Sequence, residues 1–261
     1  MSLDQTAPIV KSQTATRDAF LAGRLTIAQP KQGFRAGLDS VLLGASVGAA
    51  HGKILDLGAG VGTAALVALV GETGLSATLA EIDPAAAALA RENIAGNNFG
   101  ERAEVIEVDV TAPGRTRAAA GLAADRYAAV IANPPFFAAG EATLPPHAER
   151  AGARHMPPDA LDRWVKTAAT SAAPGGEIVF ILPAALLGAA LATLEPRFGG
   201  ITVLPLSPRP AAPASRILVR AVKGSRSPLT LLASRPLHGG EGNAFAPEIE
   251  AVLRGKSRLV W

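Results

Sequence analysis

From residue 53 onward the chain alternates short apolar runs rich in Val, Ile and Leu with longer helical stretches, and few folds accept that alternation. KILDL (53–57), ATLAEI (77–82), AEVIEV (103–108), YAAVIA (127–132), EIVFIL (177–182), ITVLPL (201–206) and RILVRAV (216–222) read as strands. GTAALVALVGE (62–72), PAAAALARENIAGN (84–97), DALDRWVKTAATSAA (159–173) and PAALLGAALATLE (183–195) read as helices. Asp159 suits an N-cap, Pro174-Gly175-Gly176 a stop, and Pro84 and Pro183 first helical turns. Strands separated by helices must run mostly parallel, with helices on both faces of the sheet. The runs 53–57, 127–132 and 177–182 are nearly continuously apolar, as strands covered on both sides are. No helix separates ITVLPL from RILVRAV, so these two should form an antiparallel pair joined by the proline-stiffened loop SPRPAAPAS. LTLLA (229–233) predicts a further short strand. The expected fold is therefore α/β and Rossmann-like, a doubly wound, seven-stranded, mostly parallel sheet with an antiparallel last strand. Residues 1–50 should be an N-terminal extension packed on the core, with a helix over 39–48 opened by Asp39. Residues 51–261 should form the main domain, ending in a basic C-terminal hairpin region.

Composition removes several classes. At 261 residues with 49% apolar and 18% charged content, the chain has the makings of one large globular unit and not of a disordered one. It has no cysteine, so disulfides, thiolate metal sites and a thiol nucleophile are excluded. Asp4 and the lack of an apolar run near the start argue against a signal peptide, and no apolar run approaches the length of a membrane span. A cytoplasmic location is expected. His51, His147, His155 and His238 are scattered without metal-ligand spacing, so no metal site is expected. G-x-S-x-G is absent, and the pair Glu104 and Glu107 reads as solvated.

Two segments carry chemistry. The first is KILDLGAGVGTAAL (53–66), a glycine-rich turn that leaves a buried strand and opens a helix. Gly58, Gly60 and Gly62 permit a tight turn and a close approach of ligand to main chain, which points to a nucleotide-like cofactor. Thr63 stands where the dinucleotide fingerprint needs its third glycine, and no G-K-[ST] follows, so nicotinamide, flavin and Walker-type phosphate binding are disfavoured. The second is Asn133-Pro134-Pro135-Phe136, directly after the run 127–132. In an α/β sheet, ligands bind outside the carboxyl ends of the strands, where this tetrapeptide and the glycine turn would meet. The two prolines fix φ and remove N–H donors, leaving the Asn133 side chain and the Pro134 carbonyl as preset acceptors for a planar amino or amide nitrogen. Phe136 would stack on the flat group, and Phe137 would pack.

The D-x-G-x-G-x-G turn, residues Asp56, Gly58, Ala59, Gly60 and Gly62, resembles motif I of the class I S-adenosylmethionine-dependent methyltransferases. The resemblance implies S-adenosylmethionine as cofactor, with the turn cradling its methionine part. It also implies that Glu81, at the end of the second strand and followed by Ile82, receives the ribose hydroxyls, with Asp83 as the adjacent competitor. Asp109 and the backbone of Val110 would then receive the adenine amino group, with Ile82 and Asn133 as further cofactor contacts. In that superfamily [DNS]-P-P-[YFW] marks transfer to planar nitrogen, although Phe136 stands where Tyr is commoner. RLTIAQPKQGFRAGLDSVLLGA (24–45) and RILVRAVKGSRSPLTLLASRPLHGGEG (216–242) are similar to the flanks of the bacterial tRNA-valine adenine-N6 methyltransferases. The likeness covers about residues 24–255 and implies adenine N6 of tRNA as methyl acceptor. A protein glutamine amide, a small-molecule oxygen or nitrogen, and a non-catalytic RNA-binding role are the alternatives.

The charge pattern fits a polyanion. Between Pro196 and Gly240 lie seven basic residues and no acidic one, leaving 18 basic against 22 acidic residues elsewhere. With tRNA as the expected partner, Arg209, Arg216, Lys223 and Arg226 become candidate phosphate contacts on the substrate side of the sheet. Arg150 and Arg154, in HAERAGARH (147–155), either meet phosphate or pair with Glu149 and Asp159.

Overall fold

A computed structural model describes residues 15–32, 35–48, 52–135, 159–240 and 242–261. Its centre is a nine-stranded sheet built from β3 (Gly52–Leu57), β4 (Leu75–Glu81), β5 (Ala103–Glu107), β6 (Tyr127–Ala132), β7 (Ala172–Pro183), β8 (Phe198–Ser207), β9 (Arg216–Lys223), β10 (Thr230–Leu231) and β11 (Arg235–Pro236). The order across it is β10-β8-β9-β7-β6-β3-β4-β5, with β11 also on β8. All neighbours run parallel except β9, which lies antiparallel between β7 and β8. The seven expected strands are present, with the antiparallel member where the helix-free connection placed it. LTLLA supplies β10.

Alternate residues along each strand feed two separate cores, as the strand period of two requires. Ile54, Ala129, Ile131, Val179, Ile181 and Leu218 face one side, against α1 (Leu38–Ala45), α2 (Thr63–Leu69), α3 (Pro84–Gly96) and α7 (Pro247–Leu253). Leu55, Leu57, Val130, Ile178, Phe180 and Val219 face the other, against α5 (Ala160–Ser171) and α6 (Leu187–Leu194). A short α4 (Gly114–Ala119) follows β5. The N-terminal segment contributes an antiparallel hairpin, β1 (Ala15–Phe20) and β2 (Leu25–Pro30), whose Leu25 and Ile27 are buried in the first core.

Several boundaries differ from the sequence expectation. Asp39 is not the cap of α1. Gly37 holds that position, and the Asp39 carboxylate lies in the first turn, where it takes the Arg216 guanidinium at 3.1 Å. Pro174-Gly175-Gly176 does not follow the helix as a loop but lies inside β7, which begins at Ala172. Asp159 precedes α5, yet its side chain pairs with Arg163 instead of capping. Glu104 bonds Lys53 and Thr78, and Glu107 bonds Arg91, so both fasten the edge strand. Among the described residues no helix is long and apolar enough to cross a membrane.

The end of the chain is fastened to the C-terminus of α1. Leu259 N–H donates to the Ala45 carbonyl (3.0 Å), Trp261 Nε1 to Ser46 (2.7 Å) and Arg258 Nη2 to Val47 (2.6 Å), satisfying carbonyls that a helix end leaves open. Trp261 also covers the Arg220 guanidinium at 4.7 Å, a cation over an aromatic face. On its other side α1 lies so close to α2 that a Cβ on Gly44 would collide with the Ala64 carbonyl. Helix propensity alone would make Gly44→Ala stabilising by about 1 kcal/mol. The contact reverses that sign, and urea denaturation should show a loss of about 1–3 kcal/mol. Gly188→Ala, at an exposed position of α6 with open space around it, should instead gain up to about 1 kcal/mol.

Candidate active site

Four strand ends converge where the winding of the sheet reverses. The chain moves outward from β3 through β4 to β5 and then returns to lay β6 on the other side of β3, which leaves a crevice beyond their carboxyl ends. The register pairs Leu57 with Ala132, so Gly58 and Asn133 each stand one residue past a paired strand end. Glu81 ends β4, and Asp109 lies two residues beyond β5. The structure thus brings together Asp56, the glycine turn, Glu81, Asp109 and Asn133, in the spatial order Asn133, glycine turn, Glu81, Asp109.

The three glycines of the turn all have left-handed backbone, with φ of 63°, 55° and 88°, but they face different neighbours. A Cβ on Gly58 would strike the Trp164 ring from α5, and one on Gly62 would come within 2.6 Å of Leu79. Gly58 and Gly62 therefore serve packing. Gly60 meets nothing within 4 Å, so it is the member of the turn that opens to free space.

Glu81 is 7% exposed and holds the turn directly. Gly60 N–H donates to Oε2 at 2.7 Å, and the N–H groups of Ile82 and Asp83 both donate to Oε1 at 2.8 Å. Asp83 is committed elsewhere: it is the N-cap of α3, accepting from Ala85 N–H at 2.9 Å. Glu81 thus engages the glycine turn and Asp83 the start of α3. Ile82 projects beside Glu81 with 62% of its surface exposed, an apolar face at the rim of the crevice. Asp109 Oδ1 accepts from both the N–H and the hydroxyl of Thr111 at 2.7 Å, which shapes the turn after β5. The Val110 carbonyl accepts from the Thr167 hydroxyl of α5 at 2.6 Å.

Asn133 is half-buried, Pro134 buried and Pro135 exposed. No hydrogen bond joins the Asn133 carboxamide to another described residue. Phe136, expected to stack on the acceptor, lies outside the described residues, as do Phe137 and residues 147–155. Among the described residues no cluster of three potential ligands could hold a metal ion.

The four basic residues assigned to nucleic acid do not come together. β9 runs against its neighbours, so Arg216, opposite Pro183 and Leu206, lies at the carboxyl edge, whereas Lys223, opposite Phe198, lies at the amino edge, far from the crevice. Arg226 follows Lys223 and is exposed. Lys223 is also occupied, bonding Asp125 and the carbonyls of Ala169 and Ala172. Arg209, in the loop between β8 and β9, reaches the Gly240 carbonyl at 3.3 Å and has no ion pair with a described residue. Much of the basic segment is neutralised from within: Arg197 pairs with Asp162, Arg216 with Asp39, Lys223 with Asp125 and Arg235 with Glu248.

Two features of the site have no counterpart among the sequence motifs. Asn93 of α3 is 2% exposed and donates to the Val61 carbonyl within the glycine turn. The Thr63 hydroxyl, at the start of α2, is buried without a protein partner among the described residues. Neither has a motif signature, since Asn93 is an ordinary helix residue and Thr63 was informative only as a missing glycine.

Asp56, the penultimate residue of β3 under the turn, is 3% exposed and accepts from Ala65 N–H at 3.1 Å. Burial pushes its carboxyl from 3.8 up to about 7, and the nearby Glu81 charge adds to this, against the opposing Ala65 hydrogen bond. The folded protein thus binds the Asp56 proton more tightly than the unfolded chain does. The stabilisation is complete below about pH 4 and is lost as pH rises through about 7. Asp56→Asn keeps the acceptor and cannot ionise. Urea denaturation of both proteins should show the wild type losing stability relative to the variant between about pH 5 and about pH 7.5, at up to ~1.4 kcal/mol per pH unit. A pH-independent difference would contradict a buried, proton-binding Asp56.

Comparison with known proteins points to methyltransferases. A tRNA1(Val) (adenine(37)-N6)-methyltransferase of Musicola paradisiaca is 26% identical over 248 residues, 91% of this chain and 93% of that protein. One of the same name from Haemophilus influenzae is 34% identical over 166 residues, 63% and 68% of the two chains. Among solved structures, a predicted O-methyltransferase from Agrobacterium tumefaciens superposes with a TM-score of 0.71 at 30% identity, over 85% of this chain and 98% of that one. A methyltransferase from Pyrococcus furiosus shares the fold, with a TM-score of 0.56 at 17% identity over 77% and 90%. The family model described as "Methyltransferase small domain" matches residues 39–205, which take in α1, the glycine turn, Glu81, Asp109 and Asn133. The chain belongs to the methyltransferase small domain family.

Proposed function

We propose that the chain transfers a methyl group from S-adenosylmethionine to N6 of an adenine in tRNA, in the cytoplasm. The observation that carries this reading is the position of Asn133. Its carboxamide lies one residue past the β6 end, beside the glycine turn, with no described side chain or backbone group engaging it. The names of relatives matched along most of their length support the substrate.

The residues fit the cofactor. Gly60 opens to free space, Ile82 offers an uncovered apolar face and the Thr63 hydroxyl is a buried orphan next to the turn. The turn from Gly58 through Gly62, with Ala59 and the Asp56 carboxyl beneath it, would hold the methionine part. Glu81 would take the ribose hydroxyls on the remaining capacity of Oε2. Ile82, Asp109 and Val110 would enclose the adenine. S-adenosylmethionine would supply a methyl group on a sulfonium: the acceptor nitrogen gains the N–C bond and releases one proton to solvent, while the sulfur keeps the electron pair of the broken S–C bond.

The protein's task lies at the acceptor nitrogen. An exocyclic adenine nitrogen is a poor nucleophile because its lone pair is delocalised into the ring. The Asn133 oxygen and the Pro134 carbonyl would accept its two N–H groups and favour the geometry in which the lone pair points along the transfer line. Pro134 and Pro135 keep these acceptors preset, and Phe136 would stack on the base. The target adenine must be splayed out of the RNA to reach this position.

The decisive assay offers labelled S-adenosylmethionine to total tRNA from cells lacking this protein, followed by nucleoside mass spectrometry. N6-methyladenosine should appear in tRNA, and Asn133→Ala should reduce the rate by ~100-fold or more while S-adenosylhomocysteine binding by calorimetry stays within a few-fold. Label entering protein or small molecules with none in tRNA would overturn the substrate.

The charge geometry gives a second test. Arg209→Ala should weaken tRNA binding several-fold and lower the slope of log affinity against log salt by ~1. Lys223→Ala, at the far edge, should leave both unchanged while lowering thermal stability.

A further inference from the structure

The glycine turn, held at Gly60 by Glu81, is held at Val61 by a helix that also holds the N-terminal hairpin. Asn93 Oδ1 accepts from Ala28 N–H (2.6 Å), and Asn93 Nδ2 donates to the Ala28 carbonyl (3.0 Å) and to the Val61 carbonyl (2.9 Å). One turn further on, at the C-cap of α3, Asn97 repeats the pairing on Thr26: Oδ1 accepts from its N–H (2.9 Å) and Nδ2 donates to its carbonyl (2.8 Å). The spacing has a geometric cause. Four residues of helix rise about 6 Å, close to the rise of about 6.7 Å for two residues of strand. Two carboxamides at i and i+4 therefore meet two outward-facing peptide groups at j and j+2, and α3 completes the edge of β2 that β1 leaves open.

Of the two, Asn93 alone reaches the turn. Val61 lies between Gly60 and Gly62, both left-handed, so the orientation of its carbonyl sets the peptide plane from which Gly62 leads into α2. At 2% exposure and with its carboxamide engaged on both atoms, Asn93 has no alternative partner in water.

We propose that Asn93 is a positioning residue that holds the cofactor turn in its binding shape and couples it to the N-terminal hairpin, so that cofactor binding and hairpin docking reinforce one another. The proposal rests on the assignment of the turn to S-adenosylmethionine. It gives the hairpin, which supplies none of the residues assigned to the cofactor, a share in cofactor affinity.

Asn93→Ala and Asn97→Ala both cut the hairpin contact, but only the first cuts the link to Val61. At a temperature where circular dichroism shows both variants folded, calorimetry with S-adenosylhomocysteine should give ~5- to 10-fold weaker binding for Asn93→Ala and a smaller loss of ~2-fold for Asn97→Ala, which loosens the hairpin but keeps the Val61 link. Equal losses, or no loss for Asn93→Ala, would overturn the proposal. The wild type provides a measurement that no folding defect can obscure. Saturating S-adenosylhomocysteine should slow amide hydrogen exchange by ~2-fold or more in peptides spanning residues 25–30 as well as in the turn. Slowing confined to the turn and the strand ends would refute the coupling while leaving the cofactor reading intact. A wild type that binds no S-adenosylhomocysteine overturns the cofactor reading, and the coupling with it.

Discussion

The site depends first on the parallel pairing of β3 with β6. Their register, Leu57 opposite Ala132, decides that a flexible glycine turn and a stiff Asn-Pro-Pro turn emerge side by side. A slip of one residue would reverse which side chains face each core, exposing Ile54 and Ile131 to the wrong layer. Register is therefore specified by burial on both faces, and the functional geometry follows from it without further adjustment. Glu81 and Asp109 join because β4 and β5 continue the same parallel stack, with Glu81 opposite Glu107 and Val108 N–H bonded to the Glu81 carbonyl.

The basic segment shows how charge counted along a chain differs from charge presented on a surface. Four of its seven cations find carboxylates on other elements, and Arg220 lies over an indole. Each exposed or half-exposed pair contributes little stability, about 0–1 kcal/mol. Their larger effect is on the field: the paired cations and the acidic body neutralise one another at short range, so the charge left to meet a polyanion is that of Arg209, Arg220 and Arg226, which have no carboxylate partner among the described residues. The reversal of β9 adds to this by sending Arg216 and Lys223 to opposite edges of the sheet.

Much of the fold could be read from the sequence because strands covered on both faces must be apolar throughout, and those runs are hard to disguise. The strand ends that carry the two candidate motifs were legible for the same reason, since the glycine turn and Asn133 directly follow such runs. The hairpin 15–30 was not. Its strands are six residues long, and its turn places Leu21 and Ala22 at φ of 51° and 55°, so ordinary turn residues do not announce it. Partners of charged side chains were equally hidden, because Asp39 and Arg216 are separated by 177 positions and meet through topology alone. Asn93 escaped notice because a buried carboxamide bridging three peptide groups has no spacing rule.

The glycine turn illustrates how a flexible residue type can build a rigid site. A run of left-handed residues separated by single neighbours would wander in an isolated peptide, since glycine visits many conformations. Here each part is constrained by a different element: Gly58 by Trp164 of α5, Val61 by Asn93 of α3, Gly62 by Leu79 of β4, and the Gly60 N–H by the Glu81 carboxylate. Glycine permits the conformation without strain, and the surroundings remove its freedom. The entropic cost of ordering the turn is thus met on folding instead of on binding, which favours affinity for any ligand the turn accepts. The same arrangement leaves one surface of the turn uncovered, at Gly60, and rigidity elsewhere is what gives that opening a defined shape.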